Sequence, residues 1–255
     1  MRKDSPRWVT ISDSEFPHER EGLDALGDLI PDAAPYRLWT NFEFQDSQGT
    51  WNEVDALVLG RGRLHLLELK SWSGIIRGDE HNWKVTVENG GVSHRKSPTL
   101  ATRRKAQRLA SKLQTAFQEI RATADFEIPR EFLTPPFVKE AVLLHSSHFL
   151  SQLSADGQMN VFTLDHLAEQ AQLPGITSRI LEPPSYTEID EEFGRVMMVL
   201  AMEKISGKIN HRQRAGSWEL RSKVDDSGDV VVWSARHTDH DEKALIKLRP
   251  ISPNA

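Results

Sequence analysis

Two strand-like runs, aliphatic except for a few charges near one end, constrain this chain most. Glu53, Val54 and Asp55 lead into Ala56-Leu57-Val58-Leu59, and a second run from Arg63 to Ser71 carries Glu68, Leu69 and Lys70. Gly60-Arg61-Gly62 between them is a turn signal, so the two runs are expected to be neighbours with Asp55 opposite or near Glu68. Strand alternation puts Glu53 and Asp55 on one face, and Leu64, Leu66, Glu68 and Lys70 on one face of the next strand. Carboxylates in strands otherwise filled by Val, Leu and Ala are costly unless a charged partner compensates them. A divalent cation is one such partner, since Mg²⁺ takes oxygen ligands and keeps waters for a phosphate and a nucleophile. Lys70 beside it could position or deprotonate the attacking water, or stabilise charge developing on the phosphate. A purely structural Asp, Glu and Lys set on a half-exposed sheet accounts for the same residues.

The 255 residues suffice for one large domain, or one domain and a fragment of another. There is no cysteine, which excludes disulfides and Cys-ligated zinc and fits a reducing compartment, so a cytoplasmic location is expected. The N-terminus lacks a signal-like apolar stretch, and no run is long enough to span a bilayer, so no membrane partner is expected. Net charge is −5, so any contact with nucleic acid needs a local basic patch. One exists: from Gly91 to Phe117 there is no Asp or Glu, while Arg95, Lys96, Arg103, Arg104, Lys105, Arg108 and Lys112 fall inside. Arg103, Arg104, Lys105, Arg108 and Lys112 are the candidate nucleic-acid-binding residues; a solvated helix face is the other reading.

A first helix is predicted from Pro17 to about Leu29, with Leu23, Leu26 and Ile30 on one face and Glu19 at its edge, while Glu21 points elsewhere. Strands follow at Arg37–Phe44, Trp51–Leu59 and Arg63–Ser71, joined as an antiparallel meander. A short strand pair is expected between Ile75 and Val87. A long helix spans about Thr99 to Ile120, with Ala101, Ala106, Leu109, Leu113 and Phe117 in its apolar stripe. Pro129 to Pro136 reads as a loop and Phe137–Leu144 as a buried strand. A short helix is predicted over Thr163–Gln172 with Thr163 as N-cap. Pro183-Pro184 breaks the chain before a helix from Tyr186 to Ile205 with Phe193, Val196, Met197, Leu200 and Ile205 on its apolar side. From Ser217 to Pro250 there are three strand patterns and no helix.

The runs Glu53-Val54-Asp55-Ala56-Leu57-Val58-Leu59 and Leu66-Leu67-Glu68-Leu69-Lys70-Ser71-Trp72-Ser73-Gly74, with Trp83, resemble the nuclease-related domain, NERD, of the PD-(D/E)XK nuclease superfamily. The resemblance covers roughly Phe16 to His145. It implies an α/β fold: a restriction-endonuclease-like core with a central mixed sheet flanked by helices, here followed by a small C-terminal β appendage. It also implies an Mg²⁺ (or Mn²⁺) site, with Glu19 (Glu21 as second choice), Asp55 and Glu68 as ligands and Lys70 completing the catalytic set. The Leu69 carbonyl is a further candidate ligand. In the family a Gln often follows Asn-Pro-x-x at the start of the next helix; here Ser97-Pro98-Thr99-Leu100 leads to Ala101.

The tail segments Trp218 to Val224, Asp229–Ala235 and Ala244-Leu245-Ile246-Lys247 resemble the first strands of a protein kinase, with Lys247 as the lysine that pairs with ATP phosphates. Only Gly228 remains of the expected glycines and no H-R-D or D-F-G follows, so this chain alone cannot be a kinase. An unrelated β appendage is the other reading. The expected boundaries are 1–180 for the nuclease-related domain, 181–210 for a linker and helix, and 211–255 for the kinase-like segment. That order is similar to NERD-containing serine/threonine kinases of bacterial phage-growth-limitation and BREX-type defence systems, a match strengthened by His18 to Leu23 and by Asn41-Phe42-Glu43-Phe44. The resemblance implies a fragment of such a protein, with the remainder of the kinase, other defence components and nucleic acid, DNA foremost, as partners. A non-catalytic nucleic-acid-sensing module that regulates the kinase is the alternative to a nuclease. His237, Asp239, His240 and Asp241 read as a solvated turn before a metal cluster. His145 and His148 read as structural or exposed, and Trp72 and Trp83 as packing over a sheet edge before base stacking.

Overall fold

Aliphatic residues on both faces of a strand require cover on both sides, and the computed structural model supplies it with helices. It describes residues 1–14, 16–61, 63–87, 89–124, 135–182, 191–208, 214–215, 217–225 and 231–248. Contacts divide the chain into Met1–Lys208 and Ile209–Ala255.

In the first unit, β1 (Trp8–Thr10) precedes α1 (Pro17–Leu29), and β2 (Arg37–Gln45), β3 (Trp51–Leu59) and β4 (Arg63–Lys70) form the expected antiparallel meander. Next come β5 (Gly74–Gly78), β6 (Asn82–Thr86), β7 (Val92–Lys96) and the long α2 (Pro98–Thr123). β8 (Phe137–Leu144), β9 (Phe149–Leu153), the short α3 (Ala155–Gln158) and β10 (Val161–Thr163) follow. After α4 (Ala168–Ala171) and α5 (Thr177–Ile180), α6 (Glu191–Ile205) and β11 (Gly207–Lys208) close the unit. The main sheet runs β1-β2-β3-β4-β8-β10, with β11 also paired to β2. β8 lies parallel to β4, which a long connection through α2 makes possible. A second sheet has the order β7-β6-β5-β9.

One face of the main sheet packs Val54, Leu57, Leu59, Leu64 and Leu66 against Leu109, Leu113 and Phe117 of α2. The other packs Ala56, Val58, Leu67 and Leu69 against Leu23, Leu26 and Ile30 of the α1 segment. A third cluster joins the sheets through Ile76, Trp83, Val142 and Phe149. Trp72 meets Trp83 edge to face at 5.7 Å, so both tryptophans pack. α1 also needs close backbone approach at Gly27, where an added Cβ would stand 2.1 Å from the Trp8 ring. Ala normally stabilises a helix interior over Gly by about 1 kcal/mol. Here overpacking against a buried indole reverses the sign, and Gly27→Ala is expected to destabilise by about 1–3 kcal/mol. A urea midpoint equal to or above that of the unaltered chain would refute this.

Several expectations change. Thr163 is not a helix cap: it ends β10 opposite Leu144 and donates its hydroxyl to the Leu144 carbonyl at 2.8 Å. The helix expected there is a 3-10 turn at Asp165–Leu167 followed by α4, ending at Gln172 with φ 57°. Within the stretch expected to be a linker and helix, α6 buries Met197, Met198, Ala201, Met202 and Ile205 in the cluster that holds α2. Val196 is 38% exposed, so the buried stripe is rotated from the expected one. Methionine's flexible thioether side chain suits an irregular contact of this kind. β1, β7, β9 and β11 were not predicted, since each is short and gains its pairing from the rest of the sheet. Most of the Pro129–Pro136 loop, Gly62, Pro183 to Tyr186, the Phe193 side chain and Gly228 lie outside what is described. Among the described residues no helix is long and apolar enough to cross a membrane.

The second unit is an antiparallel sheet of β12 (Arg214–Ala215), β13 (Trp218–Asp225), β14 (Val231–His237) and β15 (Lys243–Leu248). His237 packs edge-on against Trp218 at 5.0 Å, and Arg236 pairs with Asp241 at 2.6 Å.

Candidate active site

The β3–β4 ladder ends at Ala56↔Leu67. Beyond it the Asp55 side chain takes over: Oδ2 accepts the Leu69 N–H at 2.7 Å, satisfying a backbone donor the ladder leaves. Glu68 lies beside it with a side chain 15% exposed, and both carboxylate oxygens are engaged. Lys70 Nζ donates to Oε1 at 2.8 Å and Lys105 Nζ, reaching in from α2, donates to Oε2 at 2.5 Å.

These partners give the two carboxylates opposite character. Burial, reinforced by Glu68, pushes the Asp55 carboxyl up to about 7 against the pull of Lys70 and Lys105. Burial also works against ionised Glu68, but Lys105 and Lys70 outweigh it and hold its carboxyl well below the usual range. Lys105 is buried too, yet Glu68 and then Asp55 raise its ammonium above the ordinary lysine value.

Glu19 comes to the edge of this site and Glu21 remains exposed. Asn41 explains the position of Glu19: with its amide oriented to suit its neighbours, it donates to Glu19 Oε1 at 3.1 Å and accepts from the Ser14 N–H at 3.2 Å. Asn41 has φ 52°, and the β2–β3 pairing passes from Thr40↔Ala56 to Phe42↔Val54 across it. Asn tolerates the left-handed region better than most residues. Val54 joins the cluster of Leu57 and Leu59, so strict alternation is interrupted between Val54 and Leu57. Burial first, then the charge of Glu53, raises the Glu19 carboxyl, with Ser14 and Lys70 opposing.

His145 closes another side. Its N–H bonds the Lys70 carbonyl at 3.2 Å, and its ring lies 2.7 Å from where a Cβ on Gly22 would stand. Burial, then His18 and Lys70, push its imidazole down to about 4, so it is neutral at pH 7.

The basic residues of α2 do not form one free face. Arg103 pairs with Glu140 at 2.9 Å, Lys105 with Glu68, and Arg108 with Asn52 Oδ1 at 2.9 Å and Asp46 at 3.4 Å. Arg104 is exposed, Lys112 is half-buried, and Ala101 is exposed in the first turn. Lys105 therefore belongs to the acidic site and not to an outer binding surface. Its signal in the sequence was a lysine on the helix after the strand pair, which helical periodicity alone assigns to solvent. Lys247 is exposed on β15.

Mg²⁺ needs only one or two carboxylates beside waters and substrate oxygens. Asp55 and Glu68 offer two half-buried carboxylates, and burial and then Glu68 raise the Asp55 carboxyl in spite of two lysines. Among the described residues no three His, Asp or Glu side chains converge as a metal-holding group, so Glu19 is not part of a preformed triad.

A mixed sheet flanked by helices, with Asp, Glu and Lys where two strands part, defines a nuclease-like core, and the model of the nuclease-related domain matches residues 14–144. The chain belongs to that family. It is also 31% identical over 246 residues to the "Probable kinase PglW" of Streptomyces coelicolor, covering 95% of this chain but 14% of that protein's length. No solved structure matches the chain.

Proposed function

We propose that the first unit is a divalent-cation-dependent phosphodiesterase acting on nucleic acid, with DNA as its substrate. The observation that carries this reading is the half-buried Asp55–Glu68 pair with Lys70 at 2.8 Å from Glu68. Asp55 and Glu68 would hold Mg²⁺ or Mn²⁺, which supplies charge neutralisation at a phosphodiester and an activated water. Lys70 orients that water or takes its proton, and its ammonium form stabilises charge on the phosphate. Lys105 keeps Glu68 ionised, and Asn41 holds Glu19 at the rim.

Purified chain incubated with plasmid, linear and single-stranded DNA and Mg²⁺ or Mn²⁺ is expected to cut at least one of them. Lys70→Ala and Asp55→Ala should each lower the rate by about a hundredfold or more. DNA binding without cleavage under all of these conditions would sink the enzyme reading. One observation favours that second outcome, a nucleic-acid-sensing module: both Glu68 oxygens already carry ammonium partners, which an incoming cation must displace.

The match to a protein named as a probable kinase supports reading the second unit as the opening strands of a kinase lobe within a phage-defence protein. Lys247 would then contact ATP phosphates once the rest of a kinase domain is present. Nucleotide binding by such a longer protein that survives Lys247→Ala undiminished would refute that assignment.

A further inference from the structure

The β5–β9 sheet has one face buried and one exposed, and the exposed face is basic. Ile76, Trp83 and Val85 point inward to the core. Arg77, Lys84, Asn82, His94, Lys96 and Gln152 are exposed. The register brings them side by side: Arg77 pairs with Gln152 on β9 and with Lys84 on β6, Lys84 pairs with His94 on β7, and Asn82 pairs with Lys96. Cβ atoms of directly opposed residues lie about 4.5–5.5 Å apart, and like charges so placed destabilise a sheet. No Asp or Glu occurs within β5, β6, β7 or β9. Arg77, Lys84 and His94 make no ion pair among the described residues, in contrast to Arg103, Lys105 and Arg108 on α2.

A chain of net charge −5 has acids to place here, and their exclusion from four strands leaves a face complementary to a regularly spaced polyanion. The sheet is also near the site. β5 starts at Gly74, four residues past Lys70, so at most about 14 Å of chain separates them. Within the acid-free window, Arg95 turns inward and stacks over Trp72 at 5.0 Å, while Lys96 stays on the outer face.

We infer that the outer face of the β5–β9 sheet, centred on Arg77 and Lys84, is a docking surface for the phosphate backbone of nucleic acid running on from the Asp55–Glu68 site. This rests on the reading of the first unit as a domain that acts on nucleic acid, but it assigns the backbone contact to the sheet rather than to α2. Backbone contacts of this kind are sequence-independent and weaken with salt, each worth about one unit in the slope of log affinity against log salt.

The test uses the full chain and a labelled DNA duplex, with a single strand in parallel, in a chelator so that binding is read without cleavage. Arg77→Ala with Lys84→Ala should lower the salt slope by about two and the low-salt affinity about tenfold. Arg121→Ala, removing one charge at the far end of α2, should leave both unchanged. Lys84→Glu sets an acid between Arg77 and His94, so it should weaken binding while thermal stability is retained or raised, separating lost docking from lost folding. An unchanged slope and affinity in the double variant, or the same loss in Arg121→Ala, would overturn the inference. A lowered melting temperature in Lys84→Glu would also count against it. Cleavage failing while the slope still drops by two would sink the hydrolase reading alone; cleavage persisting with an unaltered slope would sink the docking surface alone.

Discussion

Asp55→Asn is expected to make the protein more stable above pH 7 and, with Asp55 as the proposed cation ligand, to abolish any binding of Mg²⁺. The carboxyl is raised from 3.8 to about 7 in the fold, chiefly by burial and then by Glu68. A folded state with the higher pKa holds the proton more tightly than the unfolded chain does. Stability contributed by Asp55 is therefore fully present below about pH 4, falls as pH rises towards about 7, and stays low above it. Asparagine keeps an oxygen for the Leu69 N–H but carries no charge, so the gain should be about 1–3 kcal/mol at pH 8 and close to nothing at pH 4. Part of the full shift is offset because Lys70 and Lys105 lose a counter-charge. Urea unfolding at the two pH values measures the difference, and a variant less stable than the natural chain at pH 8 would refute it. Binding of Mg²⁺ by the unaltered chain should weaken about tenfold per pH unit below about 7, because the ligand must first lose its proton.

Glu68→Ala should act in the opposite direction and more strongly. Glu68 is the shared partner of two lysines, and removing it takes that carboxylate away from the half-buried Lys70 and Lys105 ammonium groups. Breaking a buried pair from one side costs about 3–5 kcal/mol, of which much is the charge left behind. Lys105→Met in the Glu68→Ala background should then recover part of the loss, since an apolar side chain of similar length suits the same space. A double-mutant cycle by urea unfolding at pH 7 reads the coupling. Equal destabilisation with and without Lys105 would show that Glu68 serves only through local packing.

Much of this was legible in the chain itself. The meander, α1, α2 and the buried strand at Phe137–Leu144 follow from alternation, helical periodicity and glycine turns, because each is long enough for its own pattern to decide. Asp55, Glu68 and Lys70 were legible because charges in aliphatic strands need a partner. The short strands β1, β7, β9 and β11 were not, since two to five residues carry little pattern of their own and their pairing comes from elsewhere in the sheets.

By itself, the sequence determined that two aliphatic strands with acids at one end must lie side by side and be covered on both faces. Only the tertiary structure decided which charges meet. It turned Lys105 inward onto Glu68, gave Arg103 and Arg108 acidic partners, and set Asn41 against Glu19. It also left Arg77 and Lys84 opposed on an open face. The physical reason is that periodicity fixes the face on which a side chain lies, whereas an ion pair depends on which distant element packs across that face.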